Sequence, residues 1–217
     1  MSRIRSVPLS DFDSELRAML GVDGKTDREL HPTSIRAHHP EIAKAYLRFG
    51  AALKQFSVLP ARLRELVRLR IAFHNQCRSC MAMRYADAVD DGVTEELVCS
   101  LEKPDEASDL TPAEKVALRF ADLLATKHLA IDDRLYAELA LHFSEKEIVE
   151  LGMVCALCVG FGRLSATWQM DEDLPQHFQA DSDVPVTPWG PGARTTARSQ
   201  QQVSGDDARG QRGAAPA

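Results

Sequence analysis

The sequence lacks the features that mark several large classes of protein. It has no block of lysine and arginine and carries a net charge of −6, so the positive surface that binds nucleic acid is not expected. The longest apolar run, at residues 153–161, has about half the ~20 residues of a membrane-spanning helix. The first residues contain no apolar stretch of signal-peptide length. We therefore expect a cytoplasmic protein that binds neither a membrane nor nucleic acid.

Strand signals and most catalytic motifs are also missing. The chain has no alternating Val, Ile and Thr run and no Asn-Gly hairpin turn. It has no glycine-rich phosphate loop, no nucleophile elbow and no EF-hand loop, and its histidines form no His-Glu-x-x-His motif. We therefore expect an all-α protein with neither a bound metal nor a cofactor.

Helix signals are frequent between residues 10 and 170. Capping boxes begin helices at Thr111 and Ser144, and Pro40 is suited to the first turn of another. Further apolar stripes at helical spacing bring the predicted total to about eight helices in a compact bundle. One of these helices is predicted to begin near Cys77 and to continue to Asp91.

Composition divides the chain into three parts. Residues 1–30 are predicted to form an N-terminal helical extension, and residues 31–176 a single helical domain. Residues 177–217 are rich in Pro, Gly, Ser and Gln and contain few aliphatic side chains. Such a segment buries too little apolar surface to offset its ordering entropy. We predict a disordered tail in which Trp189, the only large anchor after about residue 181, is solvated with the rest.

The five cysteines argue against a secreted disulfide framework, because their number is odd and no signal peptide precedes them. Cys155 and Cys158 lie in the apolar segment GMVCALCVGFG, and Cys99 lies in the amphipathic segment ELVCSL. We expect these three to be buried, where a cysteine behaves as a small hydrophobic residue.

Cys77 and Cys80 form a Cys-x-x-Cys within the stretch ELVRLRIAFHNQCRSCMAMR, residues 65–84. One helical turn apart, their sulfurs can form a disulfide. A helix N-terminus and nearby arginines lower the pKa of a thiol, and the resulting thiolate attacks peroxides and disulfides. Two other interpretations stay open: a zinc site completed by the second Cys-x-x-Cys, and a polar helix start with two incidental cysteines.

Eleven residues separate Glu65 from Cys77, and Asn75 stands two residues before Cys77. This spacing resembles the signature of the carboxymuconolactone decarboxylase family, in particular its alkylhydroperoxidase D-like branch, Glu-x11-Cys-x2-Cys-x3-His. The resemblance extends from about Pro60 to Leu101. It implies an alkylhydroperoxidase D-like helical fold, a homotrimer or homohexamer, and an antioxidant peroxidase with a redox-active disulfide. A thiol reductant protein would supply its electrons.

The resemblance also implies residue roles. Cys80 would attack the peroxide, Cys77 would close the disulfide and Glu65 would be the base. Arg84 stands where the family has its relay histidine. Arginine does not accept a proton at neutral pH, but its charge can stabilise a thiolate or orient Glu65. His74, three residues before Cys77, is the nearest imidazole in sequence and could replace the missing histidine.

Other interpretations remain beside this one. Glu65 could pair with Arg62 or Arg68 on an exposed helix face, as residues three apart do. The protein could be a cofactor-free decarboxylase or lyase that acts on a carboxylactone-like small molecule. It could also be a helical oligomer without catalytic activity.

Overall fold

A computed structural model of the protein describes residues 2–22, 25, 27–179, 185–189 and 195–197. Within these residues, three 3-10 helices (Leu9–Asp11, Ser100–Glu102 and His128–Ala130) accompany eleven α-helices and two strands. The elements are α1 (Ser14–Leu20), α2 (Asp27–Arg36), α3 (Pro40–Gln55), α4 (Ala61–His74), α5 (Arg78–Ala82), β1 (Met83–Tyr85), α6 (Ala86–Asp90), α7 (Glu95–Cys99), α8 (Pro112–Thr126), α9 (Asp133–Ala140), α10 (Glu145–Trp168), α11 (Gln176–Gln179) and β2 (Thr195–Ala197). The predicted all-α class is confirmed. The described helices exceed the predicted eight because residues 27–36 and 176–179 are also helical and the helix expected over 77–91 is divided.

Helix α4 lies at the centre of the bundle and packs against α8 and α10. The sequence predicts one apolar stripe on this helix, but its buried residues occupy most of its circumference: Leu63, Glu65, Leu66, Val67, Leu69, Ile71 and Ala72. A polar side chain on such a helix needs a partner inside the protein, because an unpaired buried charge is strongly destabilising. Glu65 is therefore a buried carboxylate that requires a counter-charge.

The two predicted capping boxes are confirmed. Thr111 and Glu114 cap α8 reciprocally, and Ser144 and Glu147 do the same for α10. By length and composition α10 is apolar enough to cross a membrane. In this fold it packs against α4, α8 and α9 instead.

The continuous helix predicted from Cys77 to Asp91 is wrong. α5 ends at Ala82, β1 follows in extended conformation, and α6 begins at Ala86. The carbonyls of Cys80, Met81 and Met83 accept hydrogen bonds from arginine side chains. Because arginine side chains occupy these acceptors, the chain leaves the helix at Ala82. β1 pairs in parallel with β2, a short strand pair that the sequence did not predict.

The N-terminal extension packs on α3 through a small apolar cluster of its own. Its buried members are Phe12, Leu16, Leu20, Leu30, Ala43 and Leu47. α2 crosses the predicted boundary at residue 30 and ends at Arg36. The extension and the domain therefore share one continuous helix and one apolar contact.

Part of the segment predicted as a tail packs on the bundle. Phe178 is fully buried, and Val186 and Trp189 are each 8% exposed. The Trp189 ring centroid lies 4.8 Å from that of Phe73 on α4. The expectation that Trp189 is solvated is wrong, because apolar surface of α4 and α5 is available to cover these side chains. The tail prediction for residues 180–184, 190–194 and 198–217 falls outside the described residues.

Candidate active site

The turn between α4 and α5 fixes the position of Cys77. The backbone N–H of Cys77 donates to the Ala72 carbonyl at 3.1 Å, and that of Gln76 donates to Phe73 at 3.0 Å. These two bonds form a Schellman motif, with Gln76 in the left-handed region at φ 49°. Glycine usually occupies this position, and another residue costs roughly 1–2 kcal/mol there. The Gln76 side chain offsets this strain by exchanging two hydrogen bonds with the backbone of Val186.

Asn75 attaches the same turn to α10. Its Nδ2 donates to the Cys158 carbonyl at 2.9 Å, and its Oδ1 accepts from Arg163 Nε at 3.1 Å. A Cβ at Gly162 would lie 2.6 Å from Asn75 Nδ2, so α10 needs glycine where it approaches the turn. The asparagine in the signature spacing thus holds the backbone immediately before the cysteines.

Cys77 and Cys80 are joined by a disulfide, with an S–S distance of 2.06 Å and Cα atoms 5.2 Å apart. Cys77 is fully buried, whereas Cys80 is half-buried and reaches the surface. The described residues contain no cluster of three or more His, Cys, Asp or Glu suited to a metal ion. The structure therefore offers the pair as a disulfide in which Cys80 is the more exposed cysteine, and gives the zinc interpretation no support.

Glu65 and Arg68 form a buried ion pair beside this disulfide. Arg68 Nε and Nη2 each donate to the Glu65 carboxylate at 2.7 Å. The backbone N–H of Tyr85 donates to the same carboxylate at 3.3 Å. Arg68 also donates to the carbonyls of Cys80 at 2.6 Å and Met83 at 2.8 Å. Through Arg68, the Glu65 carboxylate is connected to the backbone that carries the accessible cysteine.

The environment keeps the Arg68 guanidinium charged. Burial alone would lower the pKa of the Arg68 guanidinium, but the Glu65 carboxylate outweighs burial and raises it. The Glu65 side chain is only 2% exposed. The predicted i, i+3 pair between Glu65 and Arg68 is confirmed. The prediction that this pair lies on an exposed helix face is wrong. Arg62 instead pairs with Glu114 on α8, at 2.6 Å.

Arg84 lies in a different environment from the one expected of a relay residue. Its Nε and Nη2 donate to the two carboxylate oxygens of Glu95 at 2.9 and 3.1 Å. Nη1 donates to the carbonyls of Met81 and Met83, and Nη2 to that of Pro188 at 2.7 Å. The side chain is 3% exposed. These bonds join β1 to α7 and to the 185–189 segment. Arg84 therefore contributes to the stability of the fold.

We expect Arg84→His to lower the free energy of unfolding by about 2–3 kcal/mol, because an imidazole cannot satisfy the buried carbonyls that the guanidinium serves. We also expect no gain in hydroperoxide reduction, although the substitution restores the signature histidine. Urea unfolding and a peroxide-consumption assay measure the two effects. Glu95→Gln is the matched control, with a smaller loss because Glu95 is half-exposed. If Arg84→His reduced hydroperoxide faster than the parent and were equally stable, the structural role assigned to Arg84 would be contradicted.

His74 faces α8. Its Nε2 lies 2.7 Å from Asp122 Oδ1, and Arg70 donates to the two oxygens of the same carboxylate at 2.7 and 3.0 Å. Burial opposes ionisation of Asp122, but the hydrogen bonds from His74 and Arg70 outweigh it and lower the pKa of this carboxyl. Nine residues of helix rotate by about 900°, which places His74 on the opposite side of α4 from Glu65. The structure therefore does not bring these two candidates together.

The other cysteines differ from the pair at 77 and 80. Burial raises the pKa of Cys155 well above its usual range and that of Cys158 to about 11, so both are protonated thiols at neutral pH. Cys155 is fully buried and Cys158 half-buried. Cys99 is exposed at the end of α7, so the expectation that it is buried is wrong.

One contributor to the site, Tyr85, is absent from the residues that the sequence indicated. Tyr85 places its ring 4.8 Å from the Arg68 guanidinium and its backbone N–H on Glu65. Nothing in the local sequence indicated Tyr85, because its position depends on the break after α5.

Comparisons with known proteins agree with the signature. Residues 40–123 match the model of the carboxymuconolactone decarboxylase family. Two uncharacterised proteins of Mycobacterium tuberculosis are each 36% identical over 117 residues, which cover 52% of this chain and 40% of theirs. The chain thus spans about two fifths of these relatives. The uncharacterised protein YdfG of Bacillus subtilis is 29% identical over 129 residues, covering 58% of this chain and 86% of its own.

Solved structures share the fold. The alkylhydroperoxidase AhpD core of an uncharacterised peroxidase-related protein from Ralstonia eutropha superposes with a TM-score of 0.63 at 19% identity, covering 85% of this chain and 97% of that one. The debrominase Bmp8, as a cysteine-to-alanine variant in complex with 2,3,4-tribromopyrrole, gives a TM-score of 0.61 at 17% identity over 77% and 90% of the two chains. The predicted alkylhydroperoxidase D-like fold is confirmed.

Proposed function

We propose that this chain, which carries a carboxymuconolactone decarboxylase family domain in residues 40–123, is a dithiol–disulfide oxidoreductase that reduces hydroperoxides. The carrying observation is the Cys77–Cys80 disulfide, whose accessible cysteine is linked through Arg68 to the buried carboxylate of Glu65. The fold alone does not select this reaction, because one fold supports many chemistries. The pair of cysteines supports it.

In the proposed reaction the reduced protein begins as two thiols. The Cys80 thiolate attacks one oxygen of the hydroperoxide, the O–O bond breaks, and the alcohol leaves with a proton. Cys80 is then a sulfenic acid. The Cys77 thiol attacks its sulfur, which forms the disulfide and releases water. Two thiols and one hydroperoxide thus give one disulfide, one alcohol and one water. An external thiol reductant protein supplies two electrons and two protons to restore the thiols.

The relative exposure of the two cysteines supports these roles. The attacking atom must meet the peroxide, and Cys80 is the accessible cysteine, whereas Cys77 is fully buried. The resolving cysteine reacts only with its neighbour and needs no access to solvent. We assign Cys80 as the nucleophile and Cys77 as the resolving residue.

Glu65 and Arg68 would act on the dithiol together. Arg68 brings a permanent positive charge to the backbone of Cys80, and Glu65 fixes the orientation of that charge through two hydrogen bonds. A positive charge near a thiol favours its thiolate. In this proposal the pair replaces the Glu–His relay of the signature, and Arg84 and His74 act on the structure rather than on the thiols.

Peroxide consumption before and after alkylation of the reduced protein tests the reaction class. We expect one alcohol per protein from the reduced, unalkylated form and none after all thiols are alkylated. A cofactor-free lyase would behave differently, since its proton donors are not thiols. Turnover of a carboxylactone that persists after complete alkylation would replace the present proposal with the lyase. A protein inert in both assays would favour the non-catalytic oligomer.

We also propose that the protein is a homo-oligomer, a trimer or hexamer, that works in the cytoplasm with a thiol reductant. Apolar side chains remain exposed along α3 and α10: Ile42, Phe49, Phe56, Val149, Met153 and Leu164. A second copy of the chain would cover such a surface. Light scattering during gel filtration measures the assembly mass, and a monomer at micromolar concentration would refute this part.

A further inference from the structure

Arg36 is a partly buried arginine that has no carboxylate partner in the part of the chain that the structure describes. It ends α2, in the segment that precedes the family match. Among the described residues its side chain makes one hydrogen bond, from Nη2 to Ser165 Oγ at 3.2 Å. Its Nε is buried and has no partner. Buried donors are normally satisfied, and an exception on a charged group requires an explanation. The site thus holds a positive charge with a free donor.

Aromatic rings surround this guanidinium. Its central carbon lies 4.3 Å from the Tyr46 ring centroid and 5.2 Å from that of Trp168. The Phe161 ring lies 4.6 Å from that of Tyr46. Cation–π contacts stabilise the charge through the faces of the guanidinium, but they provide no acceptor for the N–H groups that lie in its plane. Burial lowers the pKa of Arg36, as expected of a charge that water solvates poorly.

Arg36 lies on the dithiol side of the protein. Its charge acts on the phenols of Tyr46 and Tyr85, and Tyr85 stacks on Arg68, the donor to the Cys80 carbonyl. Its partner Ser165 follows Cys158 by seven residues on α10, so the two share one face about two turns apart. The Cys158 carbonyl in turn accepts a hydrogen bond at 2.9 Å from Asn75, two residues before Cys77. Arg36 and the dithiol therefore border the same face of α10.

We propose that Arg36 binds the carboxylate of an acidic substrate whose apolar body rests on Tyr46 and Trp168. This inference rests on the proposed function and deepens it, because the substrates would be hydroperoxides that carry a carboxylate. A guanidinium presents parallel N–H donors that match the two oxygens of a carboxylate. One positive charge balances one negative charge, which favours a carboxylate over a phosphate dianion.

Calorimetric titration of the oxidised full-length chain with benzoate tests this site. We expect benzoate to bind, and its neutral isostere benzamide to bind about 10-fold to 100-fold more weakly, as loss of a charged hydrogen bond predicts. Arg36→Gln should weaken benzoate binding by a similar factor and leave benzamide unchanged. Arg134→Gln, on the exposed face of α9, is the matched control and should bind benzoate as the parent does.

Three results would overturn the proposal: equal binding of benzoate and benzamide by the parent, undiminished benzoate binding by Arg36→Gln, or tighter binding of inorganic phosphate than of benzoate. If Arg36→Gln does not fold, the comparison of benzoate with benzamide on the parent still tests the site. Arg36→Lys then replaces Arg36→Gln and should bind benzoate more weakly than the parent, since lysine keeps the charge and loses the parallel donors. Cys80→Ser should bind benzoate as the parent does. A protein that binds benzoate through Arg36 but reduces no peroxide would refute the proposed reaction and leave the carboxylate site standing.

Discussion

Cys80→Ser is expected to slow hydroperoxide reduction at least about 10³-fold, because a serine hydroxyl is not ionised at neutral pH and cannot replace the attacking thiolate. The disulfide of the parent shows that its sulfur meets that of Cys77, and the half-exposed position gives peroxide access to it. Single-turnover consumption of tert-butyl hydroperoxide by the prereduced protein measures the rate without any reductant.

Two variants make this result specific. Cys99→Ser removes an exposed cysteine on α7 and should retain the parental rate. Cys158→Ser removes a thiol whose pKa of about 11 keeps it protonated, and it should also react with peroxide like the parent. Parental reactivity in Cys80→Ser, or its loss in Cys99→Ser, would be incompatible with the assigned nucleophile.

Arg68→Met is expected to lower the free energy of unfolding by about 3–5 kcal/mol, because it leaves the Glu65 carboxylate buried without its counter-charge. The carbonyls of Cys80 and Met83 lose their donor in the same variant. Denaturant unfolding by circular dichroism gives the change in stability. The position of α5 should loosen as well, so peroxide reactivity should fall together with stability.

A double variant separates the buried charge from the lost packing. Glu65→Gln combined with Arg68→Met should be more stable than Arg68→Met alone, since the unpaired charge is gone. Arg119→Met is the surface control: its pair with Glu138 is exposed, and its loss should change stability by no more than about 1 kcal/mol. An Arg68→Met protein as stable as the parent would show that the Glu65–Arg68 pair does not hold this region.

The parts of the fold that were predictable from sequence are those set by local patterns. The capping boxes at Thr111 and Ser144 specify helix starts within four residues of chain, and both helices begin there. The sequence likewise predicts a break near Asn75 and Gln76, and the structure places Glu65 on α4, Cys77 in the turn that follows and Cys80 on α5. Local chemistry of this kind requires no knowledge of what packs against the element.

The parts that were not predictable depend on residues distant in sequence. Arg84 donates a hydrogen bond to the carbonyl of Pro188, about one hundred residues away. Its hydrogen bonds to buried backbone carbonyls end the helix that local propensity favours. Gln76 adopts a left-handed conformation that its own side chain supports through Val186. Both depend on the 185–189 segment, which composition alone had assigned to a tail.

The position of His74 depends both on a local pattern and on a distant residue. Its proximity in sequence to Cys77 suggested a catalytic role, yet the same helix periodicity that identifies α4 places it about 180° from Glu65. Its partner Asp122 comes from α8. Angular position along the helix was therefore more informative than separation in sequence, and the same criterion selects Arg68 as the partner of Glu65.

The most direct test of the central claim is to trap the first product of the peroxide step. Cys77→Ser cannot form the disulfide, so the sulfenic acid on the other cysteine should persist and react with dimedone. After one equivalent of tert-butyl hydroperoxide, peptide mass spectrometry should find one dimedone adduct per chain, on Cys80. No adduct, or an adduct on Cys99, Cys155 or Cys158 instead, would contradict the account.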